Sequence, residues 1–295
     1  MAQERDRIAH GRLAALGSAT SFGIVAPLAG LAYDGGASPG VVVMARLLFG
    51  LAAATGAVGL LRRRWALPRR DWSATLAVAL AWTLVTVAYM ASFYFIPVSL
   101  AVLIFFTFPV LIALVAPLVA GGRPGAVTLG LALLAFAGLV LALGPDVGGL
   151  DPRGCALAFL AALGATTTFI LSQRLVSEQD MFAFSFHLHL ICVLAAGMAL
   201  PFIGGLVWPA GAHAWLGLAG VGLFYVSAVL LQFAAIRRAG PARASIVFNA
   251  EPVITMIGAG LVLGEVLRPM QWAGAALVIG AVLLSARIDR PVPAG

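Results

Sequence analysis

Lysine does not occur in this 295-residue sequence, and charged residues of all kinds make up only 10% of it. Soluble domains carry roughly 25%, so there is too little charge here to cover the surface of a soluble domain of this size. Cysteine is scarce as well. Cys155 and Cys192 stand alone, each within or at the start of an apolar run, and read as small buried hydrophobes rather than a disulfide or a metal pair. The signatures of enzymes and nucleotide binders are also missing. The sequence holds no zinc-type His/Glu pair, no nucleophile elbow and no phosphate loop. That argues against an intramembrane enzyme, excludes an ATP-driven pump in one chain and leaves no cofactor to expect. The opening MAQERDRIAHGRL is charged and lacks a small-residue cleavage site, so no removable signal peptide is read there.

What the sequence has is apolar length. Hydrophobic residues make up 62% of it, and they recur in runs of about twenty, enough to cross a hydrocarbon core of ~30 Å. We place ten membrane-spanning helices near 12–33, 39–61, 73–94, 97–120, 125–144, 153–177, 181–203, 212–236, 243–264 and 269–287. The connections are short and leave no soluble domain over. The fold class expected is therefore an all-α integral membrane protein.

The net charge of +7 is distributed as a topology signal. One side of the membrane would carry Arg5, Arg7, Arg12, the run from Arg62 to Arg70, Arg123, Arg174, Arg237, Arg238, Arg243, Arg287 and Arg290. The other would carry only Arg153 and Arg268. By the positive-inside rule both termini are cytoplasmic, which requires an even number of spans. The lipid bilayer is the expected partner, and nucleic acid is not.

The chain also matches itself at an ungapped offset of 143 residues, which sets Gly11 on Gly154, Arg46 on His189, Trp82 on Tyr225, Tyr89 on Gln232, Phe105 on Phe248 and Pro109 on Pro252. Each half, 1–148 and 149–295, then holds five spans. Five is odd, so the halves enter the membrane from opposite faces. Inverted halves around a central cavity are the symmetry by which many secondary transporters alternate access.

Departures from the repeat locate the polar groups. FFTFPV (105–110) in the fourth span stands against FNAEPV (248–253) in the ninth. Both prolines are kept, so Pro109 and Pro252 mark a shared bend. Asn249 and Glu251, however, replace Phe106 and Phe108. Glu251 falls roughly 12 Å into its helix, close to mid-bilayer. Two roles fit it: a protonated acid that locks packing, or a functional carboxylate that meets a substrate ammonium, couples protons, or both.

The stretch 248–287, with Asn249, Glu251 and Pro252, then Gly264–Glu265, then Gln271 and Gly274, resembles the signature end of the EamA-type repeat in the drug/metabolite transporter superfamily. ASPGVVVMARLLFGLAAA (37–54) is similar to the second-helix pattern of that repeat, with its Ser-Pro and a following Arg46. The first repeat departs from the pattern, having Gly122 and Arg123 where a Gly-Glu belongs, so Glu265 carries over for the second repeat alone. The resemblance implies a basket of ten helices lined by the third, fourth, eighth and ninth, with parts of the first and sixth, and with the fifth and tenth peripheral. It also implies export of small metabolites, amino acids among them, across a bacterial inner membrane. Aromatic and other neutral amino acids are the expected cargo, and other metabolites or drugs the alternative.

Further candidates line up by spacing. Trp82, Thr86, Tyr89 and Phe93 share one face of the third span, and Tyr225 and Gln232 the equivalent face of the eighth. Together with Phe105, Asn249 and Glu251 they offer ring surface and a few polar groups, which suits an amphipathic small molecule. For any single ring, packing is the better explanation; for the rings taken as a group, a cavity wall is. The threonines at 166–168 and the hydroxyls of Ser18, Thr20 and Ser21 bond readily to their own backbones. Arg46 needs a partner inside the membrane; Glu251 or a carbonyl would serve, and a structural or gating role is favoured, as for Glu265. His187 and His189 lie ~200° apart around a helix, so they do not share a metal. Gly130, Gly138, Gly274 and Gly280 allow close packing, within the chain or in a homodimer.

Overall fold

The computed structural model describes residues 2–144, 150–178, 180–202, 205–263 and 266–288; Gly264, Glu265 and Arg290, singled out above, lie outside them. The described chain is helical: α1 (Ala2–Asp34), α2 (Pro39–Leu60), α3 (Trp72–Ser92), α4 (Val98–Phe105), α5 (Phe108–Val119), α6 (Ala126–Leu143), α7 (Pro152–Glu178), α8 (Met181–Ala199), α9 (Ala212–Ala239), α10 (Pro241–Phe248), α11 (Ala250–Leu263) and α12 (Pro269–Ile288). Ten stretches are long and apolar enough to span a membrane. The fourth joins α4 to α5 and the ninth joins α10 to α11, so both are broken helices.

Local chemistry sets the helix ends. Ser38 caps α2, its hydroxyl accepting from the Val41 amide, and Pro39 fits the first turn because no N–H is needed there. The same hydroxyl donates to the Gly205 carbonyl at 2.8 Å and accepts from the Val207 amide at 3.1 Å. The Ser-Pro pair thus fastens the second span to a loop of the other half. Ser38→Ala should cost about 1–2 kcal/mol, read as a fall in the melting temperature of the purified protein; an unchanged melt would mean that water replaces the hydroxyl. In the last span Gln271 Oε1 accepts from the Arg268 amide at 2.8 Å, so this motif glutamine caps α12. At the start of α7, Asp151 accepts from both the backbone and the side chain of Arg153. Those bonds, the side-chain ones foremost, hold the exposed Asp151 carboxyl below its ordinary range. This local contact is present near neutrality and is lost as the pH falls into the acid range.

The repeat is visible in who packs on whom. α1 lies along α9 and α11 of the opposite half, and its counterpart α7 lies along α3, α4 and α5. The crossings match at residue level. A methyl group on Gly11 would come within 2.9 Å of Arg238 and Ala239, and one on Gly154 within 2.8 Å of Phe95 and Ile96. Each of these positions is displaced from its counterpart by the same 143 residues. Glycine is required at both crossings: Gly11 meets backbone and Cβ atoms, which cannot swing aside, and Gly154 meets the Phe95 Cβ and the branched γ carbons of Ile96. α6 and α12 pack against each other, with Gly138 and Gly274 at the contact, while Gly130 and Gly280 face open space.

Tryptophan marks the membrane edges. Trp65 and Trp72 are exposed near the arginine-rich side, and Trp208, Trp215 and Trp272 are exposed near the other. Amphipathic rings favour the headgroup level, and Trp82 alone of the six lies half-buried deep in a span. On the arginine-rich side two ion pairs join the halves, Arg63–Asp180 at 3.5 Å and Arg174–Asp71 at 3.9 Å.

Candidate functional site

The broken spans place their breaks at equivalent points. Phe106 and Thr107 separate α4 from α5, and Asn249, their counterpart by the repeat, separates α10 from α11. A helix end inside a bilayer leaves carbonyls and amides without partners. In the fourth span Thr107 repairs this locally, its hydroxyl donating to the Ile104 carbonyl at 2.7 Å. In the ninth the task falls to Asn249, whose side-chain amide donates to the Ile246 and Ser245 carbonyls at 3.1 and 3.4 Å. Asn249 is fully buried, and its Oδ1 has no partner among the described residues.

Glu251 follows in the first turn of α11. The break therefore gives its carboxyl the positive end of a helix, a placement worth ~0.3–1 kcal/mol for an anion. Glu251 is half-buried and, among the described residues, its carboxyl makes no hydrogen bond or ion pair. Arg46 acts on it electrostatically, and the Glu251 charge in turn is felt at Tyr89. A direct Arg46–Glu251 bridge, left open in the sequence, is not formed.

Arg46 projects from α2 toward α3 and α9. Its Nη2 donates to the Thr86 hydroxyl at 3.1 Å, and Thr86 in turn donates to the Trp82 carbonyl at 3.3 Å. The guanidinium carbon lies 5.7 Å from the centre of the Tyr225 ring. Tyr225 is sealed inside the bundle with its hydroxyl unpartnered; the Trp82 indole approaches that hydroxyl without completing a well-formed hydrogen bond. His189, the counterpart of Arg46, meets Tyr225 edge-on at 5.7 Å from the other side. Its neighbour His187 instead meets Trp72 at 4.9 Å, so the two imidazoles diverge as their spacing requires.

Rings connect these groups. Tyr89 touches Phe93 and Phe105, each at 4.8 Å between centroids. From Phe105 the contacts pass to Phe108, Phe169 and Phe248 at 5.2 to 5.6 Å. Phe22 closes the series, 6.3 Å from Phe248 and 6.2 Å from Tyr225. The structure thus brings Trp82, Thr86, Tyr89, Phe105 and Tyr225 into one connected cluster, with Asn249 and Glu251 on the adjoining break. Gln232 is buried on the same face of α9, but it is the adjacent Phe233 whose ring meets Trp82, at 6.2 Å. Pro109 and Pro252 are both buried just past the breaks. Phe22 and Phe169 were not foreseen. Their repeat counterparts are Ala165 and Ala26, so neither spacing nor symmetry signalled them. Thr166 and Thr167 bond to their own helix, and Ser18 bonds to the Ala228 carbonyl across the halves at 2.7 Å. Of two small cavities, one lies away from the cluster at Arg12, Thr128, Arg243 and Ser285, and the other borders it at Gly50, Ser185 and His189, the last of which meets Tyr225.

Comparison with known proteins agrees with this architecture. The sequence profile of the EamA-like transporter family matches residues 9–144 and again 152–287, two stretches that begin 143 residues apart. No curated protein is matched by sequence. Among solved structures, a crystal structure described only as that of a protein superposes with a TM-score of 0.77 over 94% of this chain and 98% of the other, at 20% sequence identity. At that identity the likeness concerns the fold.

Proposed function

The chain belongs to the EamA-like transporter family, and from that premise we propose that it is a secondary exporter of neutral amino acids, aromatic ones above all. The observation that carries this is Glu251, a carboxyl without a partner at a mid-membrane helix break, beside a wall of rings. An ionised acid at this depth costs at least ~2.5–3.5 kcal/mol, so it needs a positive charge at every stage of a cycle. The ammonium of an amino acid supplies one and a proton supplies the other. Exchange of the two on Glu251 makes the protein a proton-coupled antiporter, while Tyr89, Phe105 and Trp82 offer flat apolar surface to the side chain.

The units 1–148 and 149–295 move against each other in this scheme, with the bends at Pro109 and Pro252 as flexing points. The arginine-rich side is cytoplasmic, as are both termini, and the membrane is the bacterial inner membrane. The ion pairs Arg63–Asp180 and Arg174–Asp71 then close the cytoplasmic side and must part for loading.

Proteoliposomes containing the purified protein test this with labelled L-phenylalanine and a panel of amino acids. Saturable counterflow that responds to an imposed pH gradient is expected. Flux that never saturates and shows no counterflow would make the protein a channel. Trp82→Ala should raise the KM for phenylalanine roughly 10-fold, the worth of one aromatic contact, and leave that for alanine nearly unchanged. Equal effects on both would return Trp82 to packing.

A further inference from the structure

Four buried polar atoms without partners among the described residues fall on this one cluster: Arg46 Nε, the Tyr225 hydroxyl, Asn249 Oδ1 and His189 Nε2. Each such atom bears its full desolvation cost if it stays unmatched, and their convergence is what a polar ligand site predicts. Arg46 is the most demanding of them. It is half-buried well inside a span, its one hydrogen bond is to the neutral Thr86 hydroxyl, and no carboxylate of the described chain pairs with it.

We infer that Arg46, with the Tyr225 hydroxyl beside it, binds the substrate's carboxylate, and that Glu251 binds the ammonium of the same molecule. The planar guanidinium fork matches a carboxylate in a way that a hydroxyl or amide does not. The Tyr225 ring beneath it fixes the fork's orientation and favours the cation, while its hydroxyl adds a donor at the same place. The two poles sit on different elements and form no ion pair with each other: Arg46 leans on α3 and α9, and Glu251 sits at the head of α11.

The repeat shows that the guanidinium and the carboxyl are each built once, although the Nε2 of His189 is also buried without a partner among the described residues. The counterpart of Arg46 is His189, whose Nδ1 is bonded to the Ser185 carbonyl at 2.7 Å and whose ring is packed on Gly50. The counterpart of Glu251 is Phe108, a ring in the aromatic series. Each half therefore contributes one pole. A zwitterion spanning the two ties half to half, so binding itself supplies the contact that lets the halves move together. A molecule with an ammonium alone leaves the Arg46 charge unanswered, and one with a carboxylate alone leaves Glu251 to a proton and forfeits its contact.

This assignment rests on the amino-acid reading, and the test keeps the two apart. Thermal protection of the detergent-purified full-length protein would be measured at pH 7 with L-phenylalanine, with phenethylamine (ring and ammonium only) and with 3-phenylpropionate (ring and carboxylate only), alongside the counterflow assay. Phenylalanine is expected to protect at concentrations at least ~10-fold lower than either analogue, the least that an unmatched buried charge should cost. Arg46→Gln should erase the preference over phenethylamine and keep that over 3-phenylpropionate; Glu251→Gln should do the reverse, and Arg46→Lys should restore part of the first. Equal protection by phenylalanine and phenethylamine in the unaltered protein overturns the assignment, and so does an Arg46→Gln protein that still prefers the acid. The wild-type comparison decides the matter even if a variant fails to fold. Two-pole protection without counterflow would remove the carrier and leave the site; counterflow with phenethylamine as effective as phenylalanine would do the opposite.

Discussion

Replacing Glu251 with glutamine is expected to reduce phenylalanine counterflow by roughly 30- to 1,000-fold, the 2–4 kcal/mol that removal of one partner of a buried charge contact costs. The folded protein should be no less stable. Glutamine fills the same volume and removes a charge whose burial is unfavourable, and no hydrogen bond to a described residue is lost with the carboxyl. What remains of transport should no longer respond to an imposed pH gradient. This separates the two roles open to the residue. A packing lock would be kept by glutamine, which still offers a donor and an acceptor, and transport would continue. A variant with unaltered counterflow and an unaltered gradient response would place Glu251 in packing and remove the antiport scheme.

Gly274→Val should be the most damaging change outside the site. The added carbon would meet the Gly138 carbonyl oxygen at 2.6 Å and the Ala142 Cα at 2.7 Å. These are backbone atoms, so α6 and α12 must separate along their length rather than rotate one side chain. A buried methylene too many costs ~1–3 kcal/mol where side chains can adjust, and about 3 kcal/mol or more is expected here because they cannot. In detergent the variant should melt well below the parent or elute as aggregate. Gly280→Val, on the same helix but facing open space, should melt within a few degrees of the parent. Equal stability of the two variants would show that the α6–α12 contact is looser than described.

Much of the candidate cluster was legible because its residues violate a local rule. Glu251 and Asn249 stood out as polar groups in an apolar span, and the repeat turned them into departures from Phe108 and Phe106. Trp82 and Tyr225 stood out by depth, since tryptophan and tyrosine favour the membrane edge. Phe22 and Phe169 violate nothing: a phenylalanine in an apolar helix is ordinary whichever way it faces. Arg46 was visible as a charge, but not the geometry that withholds Glu251 from it and sets it over Tyr225. The Ser-Pro and Gln271 motifs carried a resemblance without a reason, and the structure gives the reason as helix capping and a clamp between the halves.

The sequence by itself determined that the chain carries ten membrane-spanning stretches in two halves threaded in opposite senses, and its arginines set the expectation of which side is cytoplasmic. Those properties follow from apolar length, charge count and parity, and none depends on which helix touches which. Only the tertiary structure decided that α1 crosses to α9, that Gly138 and Gly274 are spent inside the chain, and that Arg46 and Glu251 come near one another without pairing. In a span where nearly every residue is apolar, periodicity carries almost no directional signal. Which face turns inward is set by the close fit of one helix against its neighbours.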